Sequence, residues 1–214
     1  MSPIKLTSGP GQPEMEVQPA PFDSALYWRS EYEDMPDDTW PFIFLTEEAY
    51  YEANDHADSD ITHEVGGILI GQVRQTLAGT RYVVIEVAMA AEHVNHSAVH
   101  LTFTSDTIVD LHNRKDDLYP DKQIVGWFHT HPGLSVFLSS YDVFLYTNFF
   151  PQPWQVALVI DPRAERAGFF RYPNGNKSEL DPQRYVGFYE LAPSGQSVIA
   201  WRNFERVGAA PGRR

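Results

Sequence analysis

The 214-residue sequence predicts a single α/β domain in which a mixed β-sheet is flanked by helices. Apolar stretches of strand length alternate along the chain with segments whose apolar residues recur at helical spacing. The length fits one hydrophobic core with extensions. The residues with the strongest chemical pattern lie between an apolar stretch and a helical one, where loops can gather side chains around one open site.

Three helices are predicted in order along the chain. The first begins at Thr46, which resembles an N-cap because two glutamates follow it, and reaches about residue 56. The second spans 106–118, where apolar residues lie at helical spacing. The third runs from Ser139 to about residue 149, since Ser139 and the acid three residues later match a helix capping box.

Strands are predicted where the chain is apolar over a short distance and is bounded by turn residues. The predicted strands are 64–73, 81–90, 99–104, 124–128, 155–160 and 167–172. Their alternation with the helices indicates a sheet covered by helices rather than a helical bundle.

Composition divides the chain into three predicted parts. Residues 1–22 are rich in Pro, Gly and Ser and are predicted to form a flexible N-terminal arm or a strand lying over the domain. Residues 23–180 are predicted to form the domain itself, beginning with an acidic segment at 23–45. Residues 181–214 are predicted as a C-terminal extension that either completes the fold or docks to a partner.

The charge balance excludes some classes of partner. A net charge of −13, from 16 basic and 29 acidic residues, argues against a nucleic-acid partner, since phosphate binding needs clustered Lys and Arg. No secretory signal, lipidation signal or apolar run of membrane length is seen, which predicts a cytoplasmic protein with no membrane association. The absence of cysteine excludes disulfides, a thiol nucleophile and the cysteine-ligated zinc deaminases.

The most informative residues are His129, His131, Ser139 and Asp142, which form the pattern His-x-His-Pro-x6-Ser-x-x-Asp. Two histidines separated by one residue point to the same side of an extended backbone, and Pro132 prevents a helix from continuing through them. Asp142 would add a carboxylate oxygen. Two imidazoles and one carboxylate leave the fourth position of a tetrahedral zinc open to water, as is typical of catalytic rather than structural zinc sites.

Glu64 is the candidate for the general base that a zinc hydrolase needs in addition to its ligands. It opens the apolar stretch 64–71, an unusual place for a carboxylate unless a partner compensates its burial. Glu64 with His63 does not form the His-Glu-x-x-His helix motif, because position 67 is Gly.

Structural explanations exist for each feature taken alone. A His-x-His pair occurs by chance, Ser139 and Asp142 can simply cap a helix, and the glycines of 64–71 can allow close strand packing. Capping and catalysis are compatible, since Ser139 and Asp142 would lie on nearly the same helix face. No Walker loop, Gly-x-Ser-x-Gly or dinucleotide-binding glycine pattern is present, so no cofactor other than zinc is predicted.

Taken together, these residues resemble the JAMM or MPN-plus (Mov34/MPN/PAD-1-like) zinc metallopeptidases, including prokaryotic deubiquitinase-like members. The family signature is an upstream Glu, His-x-His-Pro, a spacer and Ser-x-x-Asp, and this chain matches it at all five polar positions, within a resemblance covering roughly 40–165. The resemblance implies a JAMM/MPN-type sheet and assigns Zn²⁺ to His129, His131 and Asp142. It implies that Glu64 is the general base and that the Ser139 hydroxyl stabilises the tetrahedral intermediate.

The resemblance also implies a substrate class. Family members with the full motif commonly cleave the bond after the C-terminus of a ubiquitin-like protein, which implies a ubiquitin-like modifier or its conjugates as partner. E1-like and E2-like proteins of the same system, in prokaryotic antiphage defence, would then be further partners. Two alternatives remain open: an amidohydrolase acting on a sulfur-carrier protein or a small amide, and a noncatalytic MPN scaffold.

Overall fold

The computed structural model describes residues 15–32, 41–92 and 105–209. Over these ranges the chain forms ten strands and three α-helices. The strands are β1 (Glu16–Val17), β2 (Ala25–Ser30), β3 (Phe42–Thr46), β4 (Gly66–Gln75), β5 (Arg81–Ala90), β6 (Gln123–Thr130), β7 (Val156–Asp161), β8 (Arg166–Phe170), β9 (Phe188–Leu191) and β10 (Phe204–Ala209). The helices are α1 (Glu47–Ser59), α2 (Ser105–Leu118) and α3 (Ser140–Phe149).

All ten strands belong to one mixed sheet. Its order is β10-β2-β9-β3-β5-β4-β6-β7-β8, and β1 pairs with the end of β4 at Arg74 and Gln75. The pairs β3–β5, β3–β9 and β6–β7 are parallel, whereas β4 is antiparallel to both of its long neighbours, β5 and β6. The predicted fold class, a mixed sheet with flanking helices in one domain, is confirmed.

The predicted elements that lie in the described residues are present with small shifts at their ends. The three predicted helices correspond to α1, α2 and α3, and five predicted strands correspond to β4 to β8. The predicted strand 99–104 lies outside the described residues. Besides the short β1, which lies in the predicted N-terminal arm, four observed strands are missing from the predicted set: β2 and β3 at the acidic segment, and β9 and β10 in the C-terminal extension.

The two terminal segments contribute to the sheet. β9 lies between β2 and β3, and β10 pairs with β2, so residues 188–209 complete the sheet, which is one of the two roles that the sequence leaves open. Residues 1–14 of the predicted arm lie outside the described residues. From Met15 onward the arm packs on the domain, and the Phe22 ring contacts the rings of Phe42 and Phe44.

Buried side chains lie on both faces of the sheet. The larger cluster includes Ala49, Ala53 and Ala57 of α1, whose small side chains allow the helix to approach the strands closely. A smaller cluster on β2, β3, β5 and β9 is built around Phe44, Tyr82 and Tyr189. The alternation of side chains along these strands explains why neighbouring residues enter different clusters.

Gly67 and Gly71 of β4 are required by close backbone packing. A Cβ at Gly67 would collide with the carbonyl oxygen of Met89 and lie 2.9 Å from the Phe128 ring, and a Cβ at Gly71 would collide with the carbonyl oxygen of Val84. These glycines therefore have the packing role that the sequence allows for them. Among the described residues, no helix combines the length and apolar character needed to cross a membrane.

Candidate active site

The two histidines of the motif are placed by the end of β6. His129 lies on β6, which pairs with β4 on one side and β7 on the other. His131 is the first residue after β6, and its backbone N–H donates to the carbonyl oxygen of Ile160 at 2.8 Å. The side chains are 0% and 2% exposed, respectively. Both rings are therefore held on one side of a rigid central strand.

Asp142 is placed by the first turn of α3. The Ser139 hydroxyl accepts a hydrogen bond from the Asp142 backbone N–H at 3.2 Å, and the Asp142 Oδ2 accepts one from the Ser139 backbone N–H at 2.7 Å. This is the capping box that the sequence indicates. It fixes the carboxylate at the helix N-terminus, where the helix dipole favours a negative charge.

These three side chains converge on one point. The two histidine Nε2 atoms are 3.1 Å apart, and the Asp142 carboxylate oxygens lie 3.4 Å from His129 Nε2 and 3.5 Å from His131 Nε2. A tetrahedral zinc with ligand bonds of about 2.0–2.1 Å separates its ligand atoms by about 3.3 Å. The arrangement fits a metal ion with one coordination position left open.

The hydrogen bonding of the rings supports the same interpretation. Neither His129 Nδ1 nor His131 Nδ1 has a hydrogen-bond partner among the described groups, although both atoms are buried. Each ring instead directs its Nε2 atom at the other ring and at the Asp142 carboxylate. Such a cluster of electron donors in a buried site is stabilised by a shared cation.

The charge on Asp142 is also favoured by its neighbours. Burial by itself would raise the pKa of the Asp142 carboxyl, but hydrogen bonds with His129 and His131 and with Ser139 lower that pKa well below its usual range. Asp142 is therefore ionised at neutral pH, as a metal ligand must be.

Aromatic rings hold the two imidazoles in place. Trp127 stacks on His129 with ring centroids 4.5 Å apart and planes inclined by 7°, and Phe150 stacks on the other side of Trp127 at 5.7 Å. The Phe137 ring lies 4.8 Å from that of His131. These aromatic residues were not predicted to belong to the site, but Trp127 lies two residues before His129 on a strand and so shares its face.

Glu64 reaches the site through the register of β4 and β6. Gly66 lies opposite His129 in this antiparallel pair, so that Glu64 comes opposite His131. The Glu64 Oε1 atom is 3.9 Å from His131 Nε2, and the residue is 7% exposed. The structure therefore brings Glu64 beside the three converging side chains, although 65 positions of sequence separate it from His129.

Thr130 lies between the two histidines and is hydrogen-bonded to Val65, the residue that follows Glu64. Its hydroxyl accepts a hydrogen bond from the Val65 N–H at 2.9 Å, and its own N–H donates to the Val65 carbonyl oxygen at 2.9 Å. Thr130 is fully buried. We infer that its hydroxyl holds the neighbour of Glu64 against the His129–His131 segment.

Replacing Thr130 by Val should retain zinc but lower both stability and turnover. The change leaves the buried Val65 N–H without its acceptor, which is expected to lower the free energy of unfolding by about 1–3 kcal/mol. Thr76→Val is a matched control, since the Thr76 hydroxyl also accepts a backbone N–H, from Thr80, at the far end of β4. Denaturant unfolding, metal content and turnover are measured for both variants. Equal turnover in the two would contradict the role given to Thr130.

Half of the chain matches the model of a known protein family. A family model described as "JAB1/Mov34/MPN/PAD-1 ubiquitin protease" matches residues 42–149. The chain belongs to this family. The matched range runs from the start of β3 to the end of α3 and contains Glu64 and the whole His-x-His-Pro-x6-Ser-x-x-Asp pattern.

Relatives within the JAB1/Mov34/MPN/PAD-1 family include two eukaryotic proteins. The chain is 29% identical over 141 residues to COP9 signalosome complex subunit 5 of Caenorhabditis elegans, covering 61% of this chain and 37% of that protein. It is 27% identical over 127 residues to Ubiquitin carboxyl-terminal hydrolase RPN11 of Saccharomyces cerevisiae, covering 59% of this chain and 40% of that protein. The chain thus spans well under half the length of these relatives.

A solved structure is also similar. The solution structure of a Desulfitobacterium hafniense protein matches with a TM-score of 0.49 and 21% identity, covering 68% of this chain and 92% of that chain.

Proposed function

We propose that this protein is a zinc-dependent isopeptidase or peptidase that hydrolyses the bond after the C-terminus of a ubiquitin-like modifier, in deconjugation or in precursor processing. The observation that carries the proposal is the convergence of His129, His131 and Asp142 on one point, with the Glu64 carboxylate 3.9 Å from a ligand nitrogen. A noncatalytic scaffold has no need of this arrangement.

In this proposal His129 Nε2, His131 Nε2 and an Asp142 carboxylate oxygen hold Zn²⁺ and leave one position open. When bound, zinc acts as a Lewis acid that polarises the scissile carbonyl and lowers the pKa of a coordinated water. The capping box and the aromatic contacts of His129 and His131 keep the ligands in place before zinc binds.

Glu64 would act as general base and then as general acid. Its carboxylate takes a proton from the attacking water as the new C–O bond forms, and returns a proton to the amine nitrogen as the C–N bond breaks. The products are a modifier with a free C-terminal carboxylate and a free amine on the former target. The burial of Glu64 beside His131 supports this role, because it places the carboxylate close to the atoms that would hold zinc.

Ser139 would stabilise the negative charge that develops on the carbonyl oxygen. Its hydroxyl oxygen accepts the Asp142 N–H through a lone pair, and in this proposal its hydroxyl hydrogen is donated to the substrate oxygen. The capping bond thus orients the donor. One residue serves both the helix and the reaction.

Two findings support a ubiquitin-like substrate. The matching family is described as a ubiquitin protease, and one relative is named as a ubiquitin carboxyl-terminal hydrolase. We propose E1-like and E2-like proteins of the same conjugation system as further partners, a cytoplasmic location, and a role in prokaryotic antiphage defence.

The proposed role in defence predicts that neighbouring genes encode a ubiquitin-like protein with E1-like and E2-like enzymes. A neighbourhood without them would remove the defence role while leaving the hydrolase proposal intact.

A cleavage assay tests the proposed reaction. The protein is incubated with a panel of ubiquitin-like proteins that carry a C-terminal reporter, before and after chelation and after zinc is restored. Cleavage directly after the modifier, lost on chelation and regained with zinc, is expected. Activity confined to small amides or to a sulfur-carrier protein would favour an amidohydrolase instead. Bound zinc without cleavage of any of these substrates would contradict the proposal.

Replacing Ser139 by Ala should lower turnover by about 10²- to 10³-fold, because an oxyanion donor is lost. The same change removes a helix cap and should lower the free energy of unfolding by about 1 kcal/mol. Thr46→Ala is the matched control, since the Thr46 hydroxyl caps α1 by accepting the Ala49 N–H at 3.2 Å. Turnover and thermal unfolding are compared in both. If Ser139→Ala loses stability as Thr46→Ala does but keeps full turnover, Ser139 has only the capping role.

A further inference from the structure

We propose that the β7–β8 turn, defined as residues 161–165, positions the loop that carries Glu64 relative to the loop that follows the zinc-ligating histidines. Asp161 holds one loop and Arg163 holds the other. The inference rests on the proposed function, because it assigns a role in zinc binding and in catalysis to residues that touch neither substrate nor metal.

Asp161 is a buried carboxylate whose hydrogen bonds are made with backbone N–H groups. Its Oδ1 accepts from Gly133 at 2.8 Å and its Oδ2 from Ser135 at 3.1 Å. Oδ1 also accepts from Arg163 at 3.1 Å and Ala164 at 3.3 Å, within the turn. The residue is 2% exposed. Burial of a charge is tolerated when hydrogen bonds of this kind replace its hydration, and charge-assisted bonds are the strong ones.

Two of these bonds are not needed to form the turn. The β7–β8 hairpin is closed by the pairing of Asp161 with Arg166 and by the bonds of the carboxylate to Arg163 and Ala164. The bonds to Gly133 and Ser135 instead reach across to the segment between His131 and α3. They connect the hairpin to the loop that leads from the two proposed histidine ligands to the proposed aspartate ligand.

That loop has a backbone conformation that requires support. Gly133 and Ser135 both have φ of 77°, in the left-handed region, and Ser135 lacks the freedom of glycine there. Both N–H groups that Asp161 binds belong to these two residues. The carboxylate therefore stabilises the conformation that carries the chain from His131 to the capping box at Ser139.

Arg163 connects the same turn to the loop of Glu64. Its Nε donates to the carbonyl oxygen of Ile61 at 2.8 Å, three residues before Glu64. The Asp60 carboxylate stiffens this loop by accepting the backbone N–H groups of Thr62 at 2.8 Å and His63 at 2.9 Å. A displacement of the turn would therefore be transmitted to Glu64 on one side and to the ligands on the other.

The first test replaces Asp161 by Asn. The four groups that bind this carboxylate are all N–H donors. The amide nitrogen of Asn is also a donor, so it cannot accept the hydrogen bonds of the backbone N–H groups that face it. Asp181→Asn is the matched control, because Asp181 also precedes a proline and accepts a backbone N–H in its own turn, from Gln183 at 2.9 Å. The zinc dissociation constant, by chelator competition, and amide hydrogen exchange at residues 133–135 are measured without substrate.

We expect zinc binding of Asp161→Asn to weaken by about 10- to 100-fold, as is typical when a group that orients metal ligands is lost. Exchange at residues 133–135 should become faster, and the Asp181→Asn control should match wild type in both measurements. Folded Asp161→Asn with wild-type zinc affinity and exchange would overturn the proposal. If wild type itself binds no zinc, the proposed function fails, whereas the exchange result still decides the role of the turn.

The second test replaces Arg163 by Met, at an exposed position where the fold should be retained. The change removes the hydrogen bond to Ile61 but leaves the Asp161 carboxylate in place. We expect kcat to fall by about 10-fold or more with zinc affinity and KM unchanged, because only the Glu64 loop is released. A fall in kcat alone indicates that Arg163 positions Glu64, because general destabilisation of the protein would also change zinc affinity or KM. An unchanged kcat would overturn the Arg163 half of the proposal even if Asp161→Asn fails to fold.

Discussion

Replacing Glu64 by Gln is expected to leave zinc bound and the fold intact while turnover falls by about 10²- to 10⁴-fold, the contribution typical of a general acid–base group. Gln has the size of Glu and keeps a carbonyl oxygen beside His131, but it cannot take a proton from water. Metal analysis by mass spectrometry and turnover of a cleaved modifier fusion are measured on the same preparations. The expected result is equal zinc with cleavage by wild type alone.

Glu52→Gln is the control for this change. Glu52 is a partly buried carboxylate whose Oε2 accepts the Ala88 N–H at 2.7 Å, but it lies on α1 outside the candidate site. Its replacement should not affect turnover. Near-normal turnover of Glu64→Gln would remove Glu64 as the base, and loss of zinc in that variant would make Glu64 a ligand instead.

Replacing His129 by Ala is expected to abolish zinc binding, from about one ion per chain to background, and with it all hydrolysis. The proposed site has three protein ligands, so loss of His129 leaves only His131 and the buried Asp142 carboxylate, whose charge is no longer compensated. Asp142→Asn should give the same loss of zinc, while its side-chain oxygen can still accept the Ser139 N–H that caps α3. The readout is zinc content after dialysis against a weak chelator.

His56→Ala is the matched control for His129→Ala. The His56 imidazole also packs against β6, with its ring centroid 5.9 Å from that of Phe128, but it is not among the converging ligands. This variant should retain zinc. Full zinc occupancy in His129→Ala or in Asp142→Asn would show that the proposed ligand set is incorrect.

The parts of the fold that were predictable are those with a strong local pattern. β4 to β8 are apolar stretches bounded by turns, and α1 and α3 begin at Thr46 and Ser139, whose hydroxyls cap them as predicted. The four missed strands lack such a pattern. β3 runs directly into the α1 cap, and β2 mixes apolar residues with Arg29 and Ser30. Their partners are distant, since β2 pairs with β9 and β10 more than 150 residues later.

In the candidate site, too, some residues could be predicted from a local sequence pattern and others could not. The types and spacing of His129, His131, Ser139 and Asp142 indicate a metal hydrolase because a short segment carries most of the chemistry. Residues that hold this segment carry no such pattern. Asp161 matters through its position at the end of β7, next to β6, and Thr130 matters because β4 lies opposite it.

The α/β class, the central strands, the helix caps and the candidate ligands could all be predicted from the amino-acid sequence, because these depend on periodicity, capping and side-chain chemistry within short segments. Three features could be seen only in the folded chain: β9 and β10 complete the sheet, Glu64 comes opposite His131, and the candidate ligand atoms lie 3.1–3.5 Å apart. Strand register and the meeting of β6 with α3 arise from packing between segments far apart in the chain, and no local sequence pattern reports that packing.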